Sequence, residues 1–123
     1  MKAPHIDVRP DHWAIVAAIL QRYVSEREVW AFGSRASWTA KEHSDLDLAV
    51  IGDAPLGLSV SAAIADELAE SDLPYKVDVV DWATTSPSFR EIIRRGHVVV
   101  QEGRSTPVGG DCARDGAIED REA

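Results

Sequence analysis

An apolar run, Val29 to Phe32, stops abruptly on Gly33-Ser34; ten residues follow (35 to 44), and a second apolar run opens on Asp45-Leu46-Asp47. Few architectures accommodate that pattern. The first run is too short and too apolar for an amphipathic helix and predicts a buried strand. A strand that ends on Gly-Ser turns sharply and aims free backbone N–H groups at an anion such as phosphate. Acids at i and i+2 of the following strand point to one face. Together the two halves describe a nucleotide site, with amides for the phosphates and carboxylates for the accompanying metal.

The flanking sequence supplies a frame for such a site. From about Asp11 to Val24 the apolar residues Trp13, Val16, Ala17, Leu20 and Tyr23 or Val24 recur at helical spacing, with Pro10-Asp11 as the start signal. Asp45 to Ile51 reads as a strand with Asp45, Asp47, Ala49 and Ile51 on one face and Leu46, Leu48 and Val50 on the other. The loop before it has room for a turn of helix starting at Ser34. Leu58 to Glu70 predicts a helix anchored by Ile64 and Leu68, and Tyr75 to Trp82 a third strand. Ser86-Pro87 offers an N-cap and first helical position, with Ser88 and Glu91 as a competing capping box. That helix would bury Phe89, Ile92 and Ile93, carry Arg94-Arg95 in its last turn and stop at Gly96. Val98 to Val100 would be a last short strand. This alternation predicts an α/β (α+β) domain, a sheet covered by helices.

A chain of 123 residues bounds the fold to one domain. The expected domain spans residues 1–102. From Gly103 to residue 123 large apolar residues almost vanish, and that acidic tail is expected to be disordered. The single Cys112 falls in the tail and excludes a disulfide framework or a cysteine zinc site. A net charge of −8 argues against direct binding to nucleic acid. No apolar run approaches the roughly 18 residues of a membrane span, and no signal peptide is visible, so the expected location is cytoplasmic.

Asp47 carries the strongest chemical signal, because a carboxylate among Leu46, Leu48, Ala49 and Val50 is costly unless a cation meets it. Asp78 has the same character within Lys76-Val77-Asp78-Val79-Val80. Asp81 competes with it, but by the strand period the two face opposite ways, and Asp81 stands at the strand end where an acid readily caps a turn. Asp45, Asp47 and Asp78 are therefore the expected set for one or two Mg²⁺ in an in-line phosphoryl or nucleotidyl displacement. Arg35 and Lys41 are loop cations within reach of the phosphates, and His43 directly precedes the acids. His97 fits a cap at the helix-to-strand turn. The EF-hand spacing and the P-loop pattern are both absent.

Gly33-Ser34, ten residues, then Asp45-Leu46-Asp47 resembles the signature of the nucleotidyltransferase superfamily related to DNA polymerase beta, in particular its minimal branch. The likeness extends through Asp78 and the helix from Phe89 to Gly96, covering roughly residues 10 to 101. It implies a small mixed β-sheet flanked by helices, with an open active-site face. It also implies transfer of AMP from ATP, with Asp45 and Asp47 bridging two Mg²⁺ ions and the triphosphate. Asp78 would bind the catalytic metal and help activate the acceptor hydroxyl, and Gly33, Ser34 and Arg35 would hold phosphates. Small members of this kind are similar to antitoxins that adenylylate a tyrosine of a HEPN ribonuclease toxin in a hetero-oligomer. Two alternatives accompany this reading: neutralisation by binding alone, or transfer to a small molecule of the aminoglycoside type. One departure is Trp38, a bulky ring where the family often has a small residue.

Overall fold

In the computed structural model, which describes residues 4–103, nine elements follow one another. They are α1 (Pro10–Val24), β1 (Val29–Phe32), α2 (Ser34–Ser37), β2 (Leu46–Val50), α3 (Leu58–Glu70), β3 (Val77–Asp81), a 3-10 turn (Trp82–Thr84), α4 (Pro87–Arg95) and β4 (His97–Gln101). Four strands form one sheet in the order β3-β2-β1-β4. The short connection between β1 and β2 makes that pair antiparallel, and β4 is antiparallel to β1 on its other side. β2 and β3 run parallel, as the intervening α3 crossover requires. The sheet is therefore mixed. Cys112 and the tail expected beyond Gly103 lie outside the described residues.

Strand alternation divides the sheet into two faces. Val29, Ala31, Leu46, Leu48 and Val50 meet α1 and α3 in the main core, which Trp13, Val16, Leu20, Ile64 and Leu68 complete. Arg22 and Tyr23 of α1 both reach Glu67 of α3, tying the covering helices together. On the other face Phe32 and Ala49 pack with Trp82 and Ile93 in a smaller cluster. The second face is thus partly covered by α4 instead of standing wholly open.

α4 departs from the expected burial. Ser86 caps it by accepting the Phe89 N–H, so the Ser86-Pro87 start prevails over the capping box at Ser88. Of the expected stripe only Ile93 is buried, whereas Phe89 is at the surface and Ile92 is 63% exposed. The helix lies over one part of a narrow sheet, and within the described residues nothing packs on its outer side. The third strand is also shorter than expected. Trp82 leaves it for the 3-10 turn, in which the Ala83 amide donates to the Asp81 carboxylate.

Candidate active site

The strand directions bring the chemistry to one end of the sheet. β1 finishes at Phe32, opposite Asp47 near the start of β2, and Asp47 stands beside Asp78 in the β2–β3 register. Asp45 immediately precedes β2 and is exposed; Asp47 and Asp78 are half-buried. Asp78 is additionally paired with Lys76 at 3.4 Å. Burial, then Asp78, then Asp45 raise the Asp47 pKa above the ordinary carboxylate value. Each cause disfavours the anion. The three expected acids thus share one electrostatic environment with too little positive charge.

Among the described residues no group of three or more His, Cys, Asp or Glu side chains is drawn together closely enough to hold a metal ion. Asp47 and Asp78 are half-buried oxygen donors side by side in the strand register, with the exposed Asp45 just ahead of them, and hard oxygen donors of this kind suit Mg²⁺ retaining part of its water. The raised pKa of Asp47 is the sign of that fit, because a divalent cation would remove the penalty that burial and the two neighbouring acids impose.

Gly33 joins the phosphate half to the acid half by direct approach. Its backbone sits at φ +79° and ψ −159°, a region open essentially to glycine alone. A Cβ at this position would lie 2.5 Å from Oδ2 of Asp47. The Ala36 and Ser37 amides return to the Gly33 carbonyl, so the amides at the very start of α2 have no acceptor within that turn. Ser34 opens α2 directly behind them. Trp38 ends α2 in the left-handed region at φ 63° and is 53% exposed, with its ring tilted against His5. Lys41 and His43 are exposed in the loop.

Arg35 has a different place from the one expected. It is 6% exposed, and its guanidinium donates to three backbone carbonyls: Ser44 at 2.9 Å, Asp7 at 2.9 Å and Glu42 at 3.1 Å. Its carbon lies 4.0 Å from the centre of the Tyr75 ring. Arg35 clamps the loop carrying the acids, with each of its guanidinium nitrogens donating to a backbone carbonyl. Arg35→Ala should destabilise the domain by about 2–4 kcal/mol, since a buried side chain and its three charged hydrogen bonds to backbone carbonyls are lost. Urea unfolding measures this; a loss of ATP affinity at unchanged stability would instead restore the phosphate role.

Asp81 accepts from the Leu56 amide at 2.9 Å and from Ala83 at 3.3 Å, so it is a turn and loop anchor outside the acid set. His97 Nδ1 lies 3.0 Å from the Arg94 carbonyl, consistent with a cap at the end of α4. The same ring stacks on Trp30 at 3.9 Å, and Trp30 meets Trp82 edge-on. Arg90 donates to the Trp82 carbonyl at 2.7 Å and, with Arg94, lies over the Trp82 ring. This aromatic–arginine wall was not anticipated. Its one sequence signal is Trp30 and Phe32 at i and i+2, which the strand period places on the face of Asp47.

A glycine-ended strand, a following strand led by paired acids and a third acid on the adjacent parallel strand thus meet at one end of the sheet. Residues 15–105 match the family of polymerase beta nucleotidyltransferases, and the chain belongs to that family. It is 50% identical over 101 residues to the probable protein adenylyltransferase MntA of Haemophilus influenzae (strain ATCC 51907 / DSM 11121 / KW20 / Rd), covering 82% of this chain and 89% of that protein. Among solved structures, it resembles a toxin–antitoxin complex with AMP-PNP at a TM-score of 0.63 and 23% identity, over 74% of this chain and 73% of that one. It also resembles a chain from the complex of tri-AMPylated Shewanella oneidensis HEPN toxin with MNT antitoxin, at a TM-score of 0.56 and 21% identity, over 72% and 68%. The last two likenesses concern the fold. No helix among the described residues is long and apolar enough to cross a membrane.

Proposed function

We propose that this nucleotidyltransferase moves AMP from ATP to a hydroxyl, that of a tyrosine, on a HEPN-type toxin, and so acts as its antitoxin in a hetero-oligomer. The observation that carries this reading is the Asp47 carboxylate seated against Gly33 with Asp78 beside it across the strand pair. The kinship with a probable protein adenylyltransferase at 50% identity supports the reaction class. The solved relatives, described with AMP-PNP and with an AMPylated HEPN toxin, support the nucleotide and the partner. A cytoplasmic location accords with an ATP-dependent reaction.

Asp45 and Asp47 would hold Mg²⁺ at the triphosphate, and Asp78 would complete the set on the acceptor side. When bound, the metal supplies charge neutralisation at the phosphates and a lower pKa for a coordinated hydroxyl. Gly33 brings its backbone close enough to take the terminal phosphates, with Ser34 beside it. The acceptor oxygen forms its bond to the α-phosphorus as the bond to the β-phosphate oxygen breaks. Pyrophosphate leaves, and the hydroxyl proton passes toward Asp78 and solvent. Each AMP adds one phosphodiester to the partner.

Incubation with Mg²⁺, ATP and the product of the neighbouring gene, followed by weighing both intact proteins, tests this. The partner should gain mass in whole AMP units. Asp78→Ala should slow that gain by at least about 10³-fold. A stable complex with no mass gain would instead identify neutralisation by binding alone.

A further inference from the structure

β3 is an edge strand, and its outer side has no neighbour in the sheet. All five of its residues are only partly buried. Edge strands are ordinarily protected by proline, a bulge or charge; Val77 to Asp81 carries no proline and pairs with β2 in unbroken register, and its charges are Asp78, shared with the acid set, and Asp81 at its end. Alongside this edge, between β3 and α3, runs a cavity of about 560 Å³. Ala65 and Ala69 of α3, Leu68, Leu73, Lys76 and the strand residues Val77 to Val79 are among its lining. Ala65 and Ala69 are small and exposed, so α3 presents a low wall there.

Asp78 belongs to both features. It lines the cavity, and it stands beside Asp47 in the strand register. The groove and the acid set thus share Asp78 across the edge of the sheet. β4, the other edge strand, has no such continuity: the cavity beside it is lined by Trp13, Ala17, Gln21, Val100, Gln101 and Glu102, and by none of the three acids.

We infer that the free edge of β3 and the groove along α3 seat an extended segment of the acceptor protein, which adds to the sheet as a fifth strand. This rests on the proposed transfer to a protein hydroxyl. Strand addition uses the backbone of β3 for affinity and alternate side chains for specificity. Alternation then accounts for both features at once. The residue facing Asp78 presents its hydroxyl on the catalytic face, while its neighbours in the segment drop apolar side chains between Leu68, Leu73, Val77 and Val79. The acceptor is thereby selected by backbone shape and a flanking apolar residue, with no base-like or sugar-like pocket needed.

Ala65→Trp and Ala69→Trp fill the groove from exposed helix positions, where substitutions leave the fold largely intact. The assay follows AMP transfer to the product of the neighbouring gene as its concentration varies, with AMP-PNP binding measured in parallel. Each variant should raise KM for the acceptor about tenfold or more, with AMP-PNP affinity and the rate at saturating acceptor near wild type. Ala18→Trp, on an exposed position of α1, is the control and should behave as wild type. Wild-type KM in both groove variants, beside an active parent, overturns the groove while leaving the transfer reaction standing. No transfer by the parent overturns both. A wild-type dimer in light scattering that Ala69→Trp dissociates also overturns it, by assigning the groove to a second copy of this chain.

Discussion

Asp47→Asn should abolish AMP transfer and at the same time make the metal-free protein harder to unfold. The substitution keeps the size of the side chain, so the close approach to Gly33 survives, but it removes the charge that burial, Asp78 and Asp45 all oppose. A carboxyl whose pKa is raised on folding binds its proton more tightly in the native state than in the unfolded chain. Its ionisation therefore lowers stability at neutral pH, and that cost fades as pH falls through the native pKa. Without divalent cation at pH 7 the variant should melt higher, on a scale of about 4–8 °C per kcal/mol of relieved repulsion for a domain this size. Toward pH 4 the gap should close. Saturating Mg²⁺ should reverse the order, because binding to the native acid set stabilises the parent alone. Scanning calorimetry with and without Mg²⁺ reads all three effects. A variant that melts lower than the parent in every condition would show that Asp47 is a structural hydrogen-bonding group, and retained transfer would remove it from the reaction.

The second large effect is expected at Gly33. Gly33→Ala places a methyl group 2.5 Å from Asp47 Oδ2 and forces a non-glycine residue into a conformation at φ +79°. Relief requires the strand end, the Asp47 side chain or both to move. The strain should cost about 1–3 kcal/mol of stability. Displacement by roughly 1 Å at the reacting centre should lower transfer by about 10²-fold or more. Measuring single-turnover transfer well below the melting temperature separates the two. Enough variant is folded there that a stability loss alone leaves the rate nearly intact. Full activity under those conditions would mean that the amide-to-acid approach is packing and nothing more.

These two residues also mark where the sequence was legible. The spacing from Gly33-Ser34 to Asp45-Leu46-Asp47 carried the site's two halves, because strand period and glycine's backbone freedom are local properties. The choice of Asp78 over Asp81 rested on the same period, and the observed Asp81 contacts with Leu56 and Ala83 agree with it. The surroundings of Arg35 were not legible, for the opposite reason. A cation one residue past a phosphate-binding turn looks available in sequence, yet its partners Asp7, Glu42 and Ser44 come from segments on both sides of it. The buried stripe of α4 failed similarly: periodicity showed that Phe89, Ile92 and Ile93 share a face, but how much sheet lay beneath them depended on strand order.

The sequence by itself determined the elements and the faces of the strands and singled out the three acids as candidates, since each follows from periodicity, capping and the cost of a charge in an apolar run. Only the tertiary structure decided that Gly33 touches Asp47, that Arg35 is a buried clamp, that an aromatic–arginine wall stands on the catalytic face, and that β3 is an edge with a groove leading to Asp78. Those are relations between residues distant in the chain. They depend on which strand lies beside which, and strand order is fixed by the packing of the whole sheet against its helices and by no local pattern.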